Sequence, residues 1–183
     1  APQFWDNPSL AETIDDKLVI GGFNPVDSLT ASKVYHHPPS YIRIPSIDIS
    51  SPVESLSILD LGNSKSYETP KDVVGYIPES AIPGSLGNVW LFGHLESPIR
   101  GEGSVFNDLP KINGLLRQGR SVFVILQTPG DSFLYLVKSF RLIPKEELYF
   151  WGSDRSQITL VTCWPRFSYD QRIVITAELV GLK

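Results

Sequence analysis

The chain has 183 residues, 42% of them hydrophobic and 20% charged, which suits one ordinary globular domain and excludes a disordered chain. A net charge of −4 without clustered Lys or Arg excludes a nucleic-acid footprint, and no stretch approaches the roughly 18 apolar residues of a membrane span. One cysteine excludes an internal disulfide and leaves a single thiol to explain.

Residues 1–40 read as an N-terminal arm. Ser9-Leu10-Ala11-Glu12 is a capping-box pattern, in which the Ser and Glu side chains satisfy free backbone N–H groups. Leu10, Ile14 and Leu18 follow at helical spacing, which predicts a short amphipathic helix near 10–18 that Gly21-Gly22 stops. Pro25, Pro38 and Pro39 break any periodicity in the rest of the arm. No signal peptide opens the chain, and it contains no methionine, so the expectation is a processed piece whose membrane tether has been removed.

From Tyr41 to Lys183 the signal is β. "YIRIP" (41–45) and "PVESLSI" (52–58) are short strands separated by "SIDISS", and "DVVGYIP" (72–78) is a third. "NVWLFGH" (88–94) is an apolar run ending in Gly93-His94. A helix is expected around Val105–Leu116, with Pro110 against it. "SVFVILQ" (121–127) and "SFLYLVKSFRLIP" (132–144) flank the turn signal Thr128-Pro129-Gly130-Asp131. "QITLVT" (157–162) and "RIVITAELVG" (172–181) close the chain, and strands at this spacing with little helix predict a closed or nearly closed β-barrel.

Cys163 ends an apolar, β-branched run, and its neighbours are unusual for inert packing. A thiol acts as a nucleophile in its thiolate form, and with a free pKa of about 8.5 it needs a cation or histidine beside it. Arg172 opens the last strand nine positions later, and Arg166 lies three positions after the cysteine. If 157–162 and 172–181 are antiparallel neighbours, Cys163 and Arg172 share the mouth of one connection. His94 reaches the same place if its strand lies alongside.

Thr159-Leu160-Val161-Thr162-Cys163 resembles the T-L-x-T-C signature of sortases, the cysteine transpeptidases that attach surface proteins to cell walls. "LFGH" ending at His94, the signature itself, and "QRIVI" with Arg172 follow the family's order of His, Cys and Arg, and "YIRIPSIDISSPV" (41–53) is similar to its opening strands. The resemblance implies a mainly β fold, a closed eight-stranded barrel with few short helices over 41–183. It implies Cys163 as nucleophile, His94 as its partner and general acid, Arg172 as the group that holds the peptide and its oxyanion, and Thr162 as a positioner of the substrate backbone. The implied substrates are LPxTG-like sorting signals of surface proteins or pilins, cleaved between Thr and Gly. The acyl group passes to an amine of a peptidoglycan precursor or a pilin lysine, at the extracellular face of the membrane. That chemistry requires no metal or organic cofactor.

Other readings stand beside these. A cysteine hydrolase on the same barrel differs only in accepting water, and a silent binding module keeps the groove and loses nothing when Cys163 is changed. Arg166 sits in "WPRFSYDQ" and reads as less constrained than Arg172; Glu96 reads as solvated rather than as an orienter of His94. His36-His37 lacks a third zinc ligand and reads as plain loop, and Glu146-Glu147 reads as an exposed helix start rather than a calcium site. Phe4-Trp5-Asp6-Asn7-Pro8 offers lid-like chemistry, but packing of the arm on the barrel's outside is the favoured expectation.

Overall fold

Strand pairing closes the chain on itself. The computed structural model describes residues 21–26, 34–60, 65–68, 70–96 and 103–183. Its strands are β1 (Asn24–Pro25), β2 (Tyr41–Ile44), β3 (Ile49–Ser55), β4 (Ser57–Asp60), β5 (Lys65–Glu68), β6 (Val74–Tyr76), β7 (Gly87–Phe92), β8 (Phe123–Thr128), β9 (Asp131–Pro144), β10 (Ser156–Trp164) and β11 (Gln171–Leu182). Around the barrel the order is β11-β10-β7-β6-β3-β2-β8-β9, and β9 pairs back onto β11, which makes eight strands in a closed ring. The pairs β7–β10 and β3–β6 are parallel, and the other six contacts of the ring are antiparallel. β1 adds two residues to the end of β11, and β4 and β5 form a separate hairpin.

The eight-stranded barrel expected from the sequence is present, with local differences. Helix α1 (Lys111–Arg117) starts only after Pro110, which lacks an N–H and holds a fixed φ of −58° at the helix entry. "SIDISS" is not a plain separator. Pro45–Ile47 form a 3-10 turn, Asp48 reverses the chain at φ 53°, and Ile49, Ser50 and Ser51 then pair with Ile44, Arg43 and Ile42. The strand read over 52–58 breaks at Leu56, whose N–H donates to Tyr76 O at 2.8 Å. The helix expected near 10–18, and the lid-like residues Phe4 to Pro8, lie outside the described residues.

Alternation along the strands fills the interior. Val89 and Leu91 of β7, Ile158 and Leu160 of β10, and Ile173, Ile175 and Ala177 of β11 all join one buried cluster. Phe106, Leu109, Ile112 and Leu116, from α1 and the turns before it, join the same cluster.

Among these interior groups Tyr135 carries a polar atom. Its hydroxyl accepts the N–H of Gly84 at 3.0 Å. Gly84 has φ +82°, and a Cβ there would strike the rings of Phe133 and Tyr35. Burial pushes the Tyr135 phenol up from 10.0 to about 12. The unfolded chain therefore releases this proton first, so the group's contribution to stability is complete below pH 10 and is lost as pH rises toward 12. Tyr135→Phe should make that decline shallower, and should cost about 1–3 kcal/mol at neutral pH by stranding the Gly84 N–H. Urea unfolding of both proteins at pH 7, 10 and 11 measures the two effects together.

Candidate active site

The last two barrel strands place Cys163 and Arg172 face to face. In the β10–β11 ladder they are direct partners, so both side chains leave the same side of the sheet. That side is the outer one, because Leu160 packs in the barrel interior while Val161 belongs to a second cluster outside it. Cys163 is half-buried, a free thiol. Arg172 donates through Nη1 to the carbonyls of Tyr169 (2.9 Å) and Gln171 (2.8 Å), which turns its guanidinium toward the β10–β11 connection.

His94 arrives from the other edge of β10. The parallel register sets Phe92 beside Val161, and Gly93 N–H donates to Val161 O at 3.2 Å, so continuing the register by two places brings His94 level with Cys163. The residue before the histidine must be small. A Cβ on Gly93 would meet Phe106 at 2.6 Å and Val105 at 2.8 Å. Thr162 is 3% exposed, and its hydroxyl donates inward to Gly93 O at 2.8 Å. Its side chain thus fastens the His94 segment.

A wall of aromatic rings covers the outer face next to these residues. The connection from β9 to β10 folds back so that Leu148 and Trp151 pack on Trp90 and Val161. Trp90 meets Trp151 edge-on with centroids 4.5 Å apart, and Phe150 stands edge-on to both Trp90 (5.0 Å) and Phe92 (6.0 Å). Trp151 O is the anchor of the wall. It accepts from Trp90 Nε1 and from Asn88 Nδ2, each at 3.3 Å, and Asn88 Oδ1 in turn accepts from the buried Thr159 hydroxyl at 2.9 Å. A pocket of about 360 Å³ opens at this end, between Glu79, Asn88, Trp90, Phe150 and Trp151. Neither Asn88 nor the wall stood out in the sequence; the available signal was a polar residue in each of two apolar runs, Asn88 and Thr159, which the register sets two places apart.

Two expectations about charge are corrected. Arg166 is not loosely held: Nη1 donates to Glu96 Oε2 at 2.9 Å and Nη2 to Asn107 Oδ1 at 2.6 Å. Glu96 is not solvated either, with its side chain 15% exposed and its Oε1 accepting the Tyr169 hydroxyl at 3.3 Å. The reason is that 94–96 and 165–170 are neighbouring crossings at one barrel end, which their separation of about 70 residues hides. Glu146 and Glu147 lie in a 3-10 turn without buried residues, and His36 and His37 are exposed. Among the described residues no group of three or more His, Cys, Asp or Glu side chains is placed to hold a metal ion.

Comparison with known proteins follows this geometry. The profile of one family, described as "Sortase domain", matches residues 42–180. No curated protein matches the chain. Among solved structures, Listeria monocytogenes sortase A is similar with a TM-score of 0.61 at 19% identity, over 81% of this chain and 90% of that one. Sortase C1 of Streptococcus agalactiae gives 0.58 at 18% identity over 92% and 77%, and a Clostridium perfringens sortase D5 transpeptidase 0.57 at 22% over 81% and 83%. At such identities these likenesses establish the fold.

The wall's attachment has a measurable consequence. Asn88→Ala removes the acceptor of a fully buried hydroxyl and one of two donors to Trp151 O, so it should cost about 1–3 kcal/mol. Amide exchange over residues 148–152 should speed up while the β8–β9 hairpin keeps its protection. Uniform acceleration across both regions would show that the loss is global rather than local.

Proposed function

The chain belongs to the sortase family of cysteine transpeptidases, and we propose that it cleaves an LPxTG-like sorting signal between Thr and Gly and passes the acyl group to an amine. The observation that carries this reading is the register of three strands. Cys163 lies opposite Arg172 on one edge of β10, and on the other the β7 register, continued two places past its last pair, brings His94 level with it.

The chemistry follows in two steps. The Cys163 thiolate attacks the threonyl carbonyl carbon, and the carbonyl oxygen takes the negative charge of the tetrahedral intermediate. Arg172 is the donor for that oxygen; a guanidinium held by two carbonyls is already oriented before charge develops. Collapse breaks the C–N bond, and His94 gives its proton to the departing glycyl amine. The acyl group is now a thioester on Cys163. An amine from a peptidoglycan precursor or a pilin then attacks the thioester carbonyl, loses a proton to His94, and expels the thiolate. The aromatic wall suits an extended, largely apolar peptide, and the main chain of Thr162 supports the peptide beside the nucleophile. The proposed place of action is the outer face of the cell membrane, where sorting signals and wall amines meet.

Mass spectrometry of the protein incubated with an LPxTG-like peptide, with and without an added amine, tests this reading. The thioester adduct should appear on the wild type, and an amide product should form only with the amine; release by water alone would make the protein a hydrolase. Cys163→Ala should give neither adduct nor cleavage, and His94→Ala should be almost as inactive. Arg172→Ala should lose on the order of 100- to 1,000-fold in turnover, as expected for one preorganised oxyanion donor. Arg172→Lys should recover part of that, since an ammonium lacks the planar fork. Comparable turnover in Cys163→Ala, or a larger loss at Arg166 than at Arg172, would overturn the assignment.

A further inference from the structure

Three chain segments carry the proposed catalytic groups, and one polar cluster ties all three together. Glu96 lies two residues after His94. It accepts Arg166, three residues after Cys163, on one carboxylate oxygen, and the Tyr169 hydroxyl on the other. Tyr169 is also the residue whose carbonyl receives Nη1 of Arg172. The other guanidinium arm of Arg166 reaches Asn107, next to Phe106, whose N–H donates to the carbonyl of His94 itself at 3.0 Å.

We infer that Glu96, Arg166 and Tyr169 are positioning residues for the transpeptidation reaction, fixing the His94 segment and the Arg172 guanidinium relative to Cys163. This inference rests on the sortase reading above. Geometry separates the cluster from an ordinary surface ion pair. A surface pair joins two side chains and leaves the backbone indifferent, whereas here each partner is also fastened to a catalytic segment. Tyr169 adopts a left-handed backbone with φ 53°, a conformation that a bulky non-glycine residue seldom holds without compensation. Its N–H to Pro165 O bond (2.9 Å) closes the turn, and that turn aims the hydroxyl at Glu96 while the carbonyl faces Arg172. Arg166 is thereby committed to Glu96 and Asn107, which leaves Arg172 as the arginine for the oxyanion.

A positioning cluster acts as one unit, so its members' effects should not multiply. Glu96→Ala and Arg166→Ala should each lower kcat by about 10-fold, well short of the 100-fold that an ångström of misplacement can cost, with KM held within twofold. The double variant should be no slower than the slower single one. Tyr169→Phe, which removes one oxygen and no charge, should lower kcat by about threefold, and Arg166→Lys should fall between wild type and Arg166→Ala. A substrate-free readout keeps this separate from the function proposed above. Alkylation of Cys163 by iodoacetamide should slow by about threefold or more in Tyr169→Phe and in the Glu96→Ala/Arg166→Ala double variant, both of which leave the site's net charge unchanged. If the wild type cleaves no sorting peptide and those alkylation rates still fall, the substrate reading fails and the cluster stands. Alkylation rates equal to wild type, or kcat losses that multiply in the double variant, would overturn the cluster's role whatever the substrate.

Discussion

Strand β10 is hydrogen-bonded along both edges, and the position of every group in the site depends on that. Its antiparallel edge sets Cys163 against Arg172, and its parallel edge pairs Val161 with Phe92, the last residue of β7, two places before Cys163 and His94. Side chains on paired strands cannot slip by one place without turning the whole hydrophobic set to the wrong face. The interior cluster therefore enforces the register, and the register fixes the pairing of Cys163 with Arg172. Packing energy is in this way converted into the placement of reactive groups.

The two faces of β10 do different work. Ile158, Leu160 and Thr162 turn inward, where the first two fill the barrel and the third holds Gly93. Thr159, Val161 and Cys163 turn outward, where the first reaches Asn88, the second lies under the aromatic wall and the third is a half-buried thiol. A five-residue signature with two threonines is thus two interleaved sets, each hydroxyl fastening a different segment. One fixes the strand end that carries the histidine, and the other, through Asn88, fixes the loop that bears the aromatic wall.

Much of the barrel was legible because its strands alternate or run apolar between turn residues, and the candidate site was legible to the extent that its three proposed groups stand at or just past strand ends. The family signature supplied the strand count and the order of His, Cys and Arg; periodicity alone reached only a closed or nearly closed barrel. What escaped was of two kinds. Pro110 was seen to weaken a helix over 105–116, yet its effect was to delay the start to Lys111, because the missing N–H suits an entry and no interior position. The contacts of Glu96 with Arg166 and of Asn88 with Trp151 join residues 60 to 70 positions apart, and no local pattern encodes a pair that only the closed ring brings together.

Ring closure also limits how a peptide can be read. Because β9 returns to β11, the ring has no terminal strand, and free strand edge is left where one strand outruns its neighbour, as β9 outruns β8 beyond Val137. Main-chain pairing, which accepts almost any sequence, is therefore confined to such stretches. On the proposed reading, a peptide elsewhere on the outer face would meet side chains: rings, guanidinium groups and a few carbonyls. A surface of that kind tolerates variation wherever a side chain points to solvent and rejects it wherever one must fit.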